Sequence, residues 1–282
     1  MIIPATVPPE HHETFTKNYN AITKNTENLL LFTADHKMQS LNQKFTGPEI
    51  PEEVGSPKHI FTIAQKSNVG ALTIHLGLMS RYASQFPDLN YIPKLDGKTN
   101  LTSISPYSEQ MWSVQDAITM AQNANLNLCG VAYTVYIGSD YEHEMLTEAA
   151  TIVKNAHANG LVTVLWMYPR SIKVENQRAP NLVAGAAGLG ASLGSDFVKI
   201  NEPATGPKDL KLAVQAAGNT KVLVSGGPAH GNALELINHV RKQMEAGTAG
   251  VVMGRNIFQH SLEEAVEITN SVAKVIYDFK SL

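Results

Sequence analysis

The 282-residue sequence contains a single cysteine, Cys129, so no disulfide can form within the chain. That excludes a disulfide-stapled scaffold and suits a reducing compartment. No stretch approaches the ~18 consecutive apolar residues of a membrane span. The first ten residues, Met1 to Glu10, have no cationic region and are broken by Pro4, Pro8 and Pro9, unlike a secretory signal. A soluble, cytoplasmic protein is expected, with no membrane partner. The 22 Lys and Arg residues are outnumbered by 25 Asp and Glu and are scattered singly, giving a formal net charge of −3. Nothing forms the positive stripe that nucleic acid requires, so the partners expected are small molecules. Also missing is a glycine-rich dinucleotide loop after an early strand. The run Gly185 to Gly190 resembles one superficially, but it lies in a small-residue helix after Pro180, where close helix-to-sheet contact is the better reading.

What the sequence does have is apolar content, 43% hydrophobic against 17% charged residues, enough for a large core. Its length fits two ordinary domains or one α/β barrel of roughly 250 residues. Residues 1–28 are polar and proline-punctuated and read as a lead segment packed on the main fold. The adjacent His11 and His12 point apart on either a helix or a strand, so a chelating pair is not expected.

From Asn28 onward, apolar runs of strand length alternate with helical stretches. The runs are Leu29 to Ala34, Ala71 to Leu76, Tyr91 to Leu95, Leu128 to Thr134, Val162 to Trp166, Phe197 to Ile200, Val222 to Val224 and Gly250 to Met253. Helix starts are marked by Ser56-Pro57, by Ser113 with Asp116, and by Ser261 with Glu264, all capping patterns. Met145, Ala149, Ile152 and Ala156 share one stripe of a helix that Gly160 stops, and Gly247 follows a helix ending near Glu245. Eight nearly continuous apolar strands, each needing cover on both faces, fit a closed barrel better than an open sheet. The expected fold is therefore α/β, a single (β/α)8 TIM barrel over residues 29–282.

In such a barrel chemistry gathers at the C-terminal ends of the strands. Those ends carry Asp35, His36 and Lys37; His75; Lys94 and Asp96; Trp166, Tyr168 and Arg170; and Lys199. After the seventh run stand Ser225, Gly226 and Gly227, and after the eighth Gly254, Arg255 and Asn256. Lys199 ends a buried-strand pattern. An amine there can be desolvated, which lowers its pKa and frees it to attack a ketone, although most strand-end lysines simply keep their charge in water. The two glycine-rich ends occupy the corner where barrels often bind phosphate, and Arg255 adds a cation.

Val198-Lys199-Ile200, Trp166-Met167-Tyr168-Pro169-Arg170, Asp35-His36, Val224 to Gly227 and Met253 to Asn256 together resemble the archaeal-type class I fructose-bisphosphate aldolases, in the Schiff-base barrel group that includes deoxyribose-phosphate aldolase. The resemblance runs from about residue 28 to the C-terminus. It implies a metal-independent lyase without a cofactor, acting on a phosphorylated sugar and assembling as a homo-oligomer. Lys199 would form the imine and Tyr168 would be the acid/base, brought into range by Lys199 and Lys94 as cationic neighbours. Asp35 would orient the lysine or, equally, cap a helix. Trp166 would wall the pocket or sit in the core, and Lys94 would bind substrate or form a strand-end salt bridge. Ser225, Gly226, Gly227, Gly254, Arg255 and His36 would complete the substrate and phosphate contacts.

Two positions depart from the family's pattern, since Lys37 and Ser171 stand where glycine is common. They leave the particular sugar phosphate open. Lys37, Arg170, Lys173 and Arg178 are the candidates for a second phosphate. Three other readings stand beside the main one: a transaldolase-like synthase on another ketose phosphate, a metal-dependent aldolase using His36 and His75, and a catalytically inactive phosphate-binding barrel serving as a structural or regulatory oligomer unit.

Overall fold

The computed structural model describes residues 1–101, 105–226 and 233–279. Eight parallel strands form the barrel: β1 Leu29–Thr33, β2 Ala71–Thr73, β3 Asn90–Tyr91, β4 Gly130–Ile137, β5 Val162–Pro169, β6 Phe197–Ile200, β7 Lys221–Ser225 and β8 Gly250–Met253. Each pairs with its sequence neighbours except β3 with β4, and β1 pairs with β8 through Leu29 to Phe32 against Gly250 to Met253. Closure runs through β3 and the short Asn127–Leu128 stretch that leads into β4. The Cys129 amide donates to the Tyr91 carbonyl at 3.0 Å, and the Ala132 amide to Pro93 at 2.9 Å.

The third strand is shorter than the expected Tyr91 to Leu95 because Pro93 has no N–H to give the ladder. Pairing resumes only at Lys94, which bridges both His75 and Ala132. By contrast β4 and β5 outrun their expected ends by three residues each, since they pair continuously from Gly130↔Val162 to Ile137↔Pro169.

The barrel helices are α2 Pro57–Lys66, α3 Leu76–Tyr82, α4 Val114–Ala124, α5 Glu142–His157, α6 Pro180–Ser192, α7 Leu210–Ala217, α8 Ala233–Glu245 and α9 Leu262–Tyr277, preceded by α1 His12–Thr23. Ser113 and Ser261 form capping boxes with Asp116 and Glu264. Ser56 does not cap through its side chain; the His59 amide it was expected to hold donates instead to the Ser56 carbonyl, at 3.1 Å. The expected stripe of α5 is buried, and Gly160 beyond it has φ +66, a left-handed turn that glycine adopts without strain. On α6, a methyl at Gly190 would collide with Val198 and Met167, so the small residues bring this helix against the strand that carries Lys199.

Alternation along each strand divides the core into three. Outward residues of β1, β2 and β8 meet α2, α8 and α9, and those of β4 to β7 meet α4 to α7. Inward residues, among them Leu29, Leu31, Val164, Phe197 and Leu223, fill the barrel and receive Phe15, Tyr19 and Ile22 of α1. Tyr19 stacks on Phe197 at 5.4 Å. Burying those three α1 side chains contributes roughly 1.5–3 kcal/mol each and closes the N-terminal end of the barrel. The other end stays open. Among the described residues no helix is long and apolar enough to cross a membrane.

Candidate active site

The two-residue period that fills the barrel with apolar side chains turns polar in its upper layers. On β5 the inward series runs Val162, Val164, Trp166, Tyr168; on β6, Phe197 then Lys199; on β4, Ala132, Thr134, Tyr136. Cross-strand register sets Trp166 beside Lys199 on one side and Thr134 on the other. These residues line a cavity of about 630 Å³ with Thr33, Asp35, His36, His75, Lys94, Lys98, Arg170, Arg178, Glu202, Ser225, Gly226, Gly254 and Arg255. Of the expected site residues, Gly227 lies outside those described; all the others meet in this one cavity.

Lys199 is 6% exposed. Its Nζ lies 4.8 Å from the Trp166 ring centroid and 5.8 Å from that of Tyr168. It has neither a hydrogen bond nor an ion pair among the described residues. Burial pulls its pKa down to about 8; Asp35 opposes that and Lys94 adds to it. At neutral pH roughly a tenth of the amine is thus neutral, against a negligible share for a solvated lysine.

The two lysines of the cavity differ in their partners. Lys94 Nζ lies 3.4 Å from Asp35 Oδ2 and 3.3 Å from Asp96 Oδ2. Burial disfavours its charge, but the carboxylates of Asp96 and Asp35 outweigh burial and hold it as an ammonium. Asp96 also accepts from the Ser108 hydroxyl and, at 3.1 Å, from the Thr134 amide. Asp35 opens the short helix His36–Gln39, yet makes no side-chain cap. Its carboxylate takes the Thr33 hydroxyl at 3.0 Å and the Lys94 ion pair, which decides against the capping reading. Burial alone would raise the Asp35 pKa; Lys94 chiefly overrides this and holds the carboxyl well below its usual range.

Tyr168 departs from expectation. Burial and the Asp35 charge keep its phenol well above the ordinary value, and the opposing cation is Arg170, not a lysine. The phenol therefore rests protonated. His36 and His75 are both pushed down to about 4, chiefly by burial, and are neutral at pH 7. Among the described residues no three His, Cys, Asp or Glu side chains converge as metal ligands. The His36 ring lies against Gly254, where a methyl would meet the ring and the Thr33 carbonyl, so the close approach needs glycine. Trp166 is 1% exposed, and its Nε1 has no partner among the described residues.

At the β7–β8 corner, the Gly226 amide is not free for an anion, because it continues the ladder to the Val252 carbonyl at 2.9 Å. The Ser225 hydroxyl donates to Asn201 Oδ1 at 3.1 Å, and Asn256 Nδ2 to the Gly226 carbonyl at 2.7 Å. No acceptor among the described residues takes the amides of Gly254 or Arg255, which leaves these and the Arg255 guanidinium as the donors there. Of the second-phosphate candidates, Lys37 is turned away to Asn42 and the Gly55 carbonyl, and Lys173 pairs with Asp140. Arg170 and Arg178 do line the cavity.

Sequence reading missed Lys98, Thr134, Tyr136, Asn201, Glu202 and His239. Two of these had a signal: continuing the β4 alternation two residues past its expected end reaches Tyr136, and Lys98 closely follows the Lys94 and Asp96 strand end. Glu202 and His239 carried none, because they meet only through the tertiary fold.

A lysine of lowered pKa, with no ion pair among the described residues, beside a protonated phenol at the open end of a parallel barrel defines a class of site, one able to condense its amine with a carbonyl. A family model for DeoC/LacD family aldolases matches residues 29–260, and the chain belongs to that family. It is 38% identical over 284 residues to the fructose-bisphosphate aldolase/6-deoxy-5-ketofructose 1-phosphate synthase of Methanocaldococcus jannaschii, covering 99% of this chain and 91% of that one. The class 1 fructose-bisphosphate aldolase of Thermoproteus tenax is 34% identical, over 80% of this chain and 82% of its own. Among solved structures, the fructose-bisphosphate aldolase from Slackia heliotrinireducens matches with a TM-score of 0.95 at 37% identity, over 99% of this chain and 91% of that one. An archaeal fructose-1,6-bisphosphate aldolase whose catalytic lysine is bound to a carbinolamine matches at 0.81 and 29% identity, over 93% and 99%.

Proposed function

We propose that the chain is a Schiff-base aldolase that reversibly cleaves fructose 1,6-bisphosphate to dihydroxyacetone phosphate and glyceraldehyde 3-phosphate. One observation carries the chemistry: Lys199 is buried, without an ion pair among the described residues, and held near a pKa of 8. The neutral amine adds to the ketone carbon, and loss of water gives a protonated imine that draws electrons from the adjacent carbon–carbon bond. In the synthetic direction the protonated Tyr168 phenol gives its proton to the aldehyde oxygen as the bond forms. In cleavage, by microscopic reversibility, the acceptor is the phenolate, whose resting proton has first passed to solvent with the positive imine beside the ring favouring the loss. Lys94 offsets part of the Asp35 charge, so Lys199 keeps a lowered pKa despite that carboxylate.

The choice of a bisphosphate rests on charge and placement. Six cationic side chains line the cavity, Lys94, Lys98, Arg170, Arg178, Lys199 and Arg255, against the two carboxylates of Asp35 and Glu202. Arg255 follows β8, whereas Lys98 and Arg170 follow β3 and β5 on the opposite rim. A substrate charged at both ends and bound at its middle by Lys199 suits that layout. A reducing, cytoplasmic setting belongs to the same reading, supported by the single buried thiol of Cys129.

The test is borohydride reduction with dihydroxyacetone phosphate, followed by mapping of the modified peptide. A stable adduct on Lys199, absent in Lys199→Met, is expected. An adduct at another lysine, or none, would overturn the mechanism.

A further inference from the structure

Glu202 stands three residues past Lys199, on the loop that leaves β6, and is neither an expected site residue nor part of the chemistry above. Its side chain is 12% exposed. Its Oε2 receives two hydrogen bonds from one helix: His239 Nε2 at 2.8 Å and Gln243 Nε2 at 2.8 Å, both on α8. Its main chain is held as well, since Arg178 Nε donates to the Glu202 carbonyl at 2.7 Å and the Ala204 amide returns to the Arg178 carbonyl at 2.9 Å. Burial would raise its pKa, but the His239 and Gln243 hydrogen bonds and the Arg178 charge together lower it, so the group stays ionised.

A half-buried carboxylate beside a corner suited to phosphate is unfavourable unless it holds something in place. The helix it grips follows β7, the strand that ends at Ser225, just before Gly226 at the anion corner. Next to Glu202, Asn201 accepts from the Ser225 hydroxyl, a second tie between the same two strand ends. His239, Glu202, Asn201, Ser225 and Gly226 all line the one cavity.

From this we infer that Glu202 is a positioning residue. By holding α8 through His239 and Gln243, it fixes the end of β7, whose Gly226 carbonyl takes the Asn256 side chain next to the Gly254 and Arg255 donors, relative to the strand that carries Lys199, and so sets the preference for phosphorylated over unphosphorylated ketones. The inference rests on the imine reading, because the distance that matters is the one between the amine and the phosphate. It adds a residue whose loss should weaken recognition of the phosphate and spare the amine's chemistry.

Two ketones separate these effects. Dihydroxyacetone phosphate uses both the amine and the corner, while dihydroxyacetone uses the amine alone. The rate of borohydride trapping on Lys199 is measured against the concentration of each, for wild type, Glu202→Leu, Glu202→Gln and Gln243→Leu. Glu202→Leu is expected to reduce the preference for the phosphorylated ketone at least about tenfold, as loss of hydrogen bonds to a charged group implies. Its trapping of dihydroxyacetone should stay at the wild-type level. Glu202→Gln retains a carbonyl acceptor for both donors and should recover most of the preference. Gln243→Leu, which leaves the loop intact, should fall between. An unchanged preference in both Glu202→Leu and Gln243→Leu overturns the role, and so does an equal loss of trapping for the two ketones. If wild type traps neither ketone, the imine reading itself fails, a result distinct from either of these.

Discussion

The Lys94 ammonium lies 3.4 Å from the Asp35 carboxylate, and both charges act on the neighbouring Lys199, whose pKa burial chiefly lowers. Asp35 raises the Lys199 pKa and Lys94 lowers it, so the two act in opposition on the same amine. Lys94→Met removes the opposing cation and leaves Asp35 to stabilise the Lys199 ammonium. The pH at which half of the trapping rate is reached should then rise above about 8. The same change leaves Asp35 and Asp96 buried without their cation, which should destabilise the fold by roughly 3–5 kcal/mol. A pH series of borohydride trapping and a urea melt check the two outcomes. An unmoved midpoint would show that Lys94 does not tune the amine.

Lys199 is itself a burden on the fold at neutral pH. Its folded pKa of about 8 lies below the ordinary 10.5. Between those values the unfolded chain binds more protons, so stability rises with pH across that window. Below pH 8 both states are protonated and the full cost of burying the charge applies, about 3 kcal/mol. Lys199→Met should therefore be more stable than wild type at pH 7 while losing imine trapping completely, and its advantage should shrink as pH rises toward 10.5. Thermal melts of both proteins from pH 6 to 10 measure it; a destabilised Lys199→Met at pH 7 contradicts the electrostatics described above.

Much of this arrangement is legible in the sequence because strands obey a period of two. Once Lys199 is placed at the end of a buried strand, its inward direction follows from Phe197, and the same rule orients Trp166 and Tyr168 on β5. The strand-end list needed only apolar runs and their boundaries. What the sequence hid depended on contacts between distant segments. Tyr168 does have Lys199 beside its ring, at 5.8 Å from the centroid, as expected, but it also packs against Tyr136 at 6.3 Å between centroids, and the cation that lowers its pKa is Arg170. The grip of Glu202 on α8 joins residues 37 and 41 positions apart. Ser56 resembles Ser113 as a cap, yet a backbone carbonyl took the bond its side chain was expected to make.

Tyr168 separates imine formation from carbon–carbon chemistry. Its phenol is held protonated by burial, with Asp35 adding to the effect. Tyr168→Phe keeps the ring against Tyr136 and removes the hydroxyl, so turnover of fructose 1,6-bisphosphate should fall by about 10²–10⁴. Trapping of dihydroxyacetone phosphate on Lys199 should persist within a few-fold. If trapping collapses together with turnover, the phenol serves the amine and not the bond.

The opposite rims of the cavity predict how the two ends of the substrate are told apart. Lys98 and Arg170 line the mouth on the β3 and β5 side, and burial, together with the Arg170 charge, lowers the Lys98 pKa. A phosphate placed between them would relieve that repulsion and accept from both. Arg170→Leu removes the stronger donor and should raise KM for fructose 1,6-bisphosphate by about 10- to 100-fold, the loss of one or two charge-assisted hydrogen bonds. Fructose 1-phosphate has no second phosphate and should be turned over by this variant and by wild type with similar KM. Steady-state assays with both sugars decide it. Equal effects on the two would place Arg170 at the ketone end, and no effect on either would leave the far rim without a role in binding.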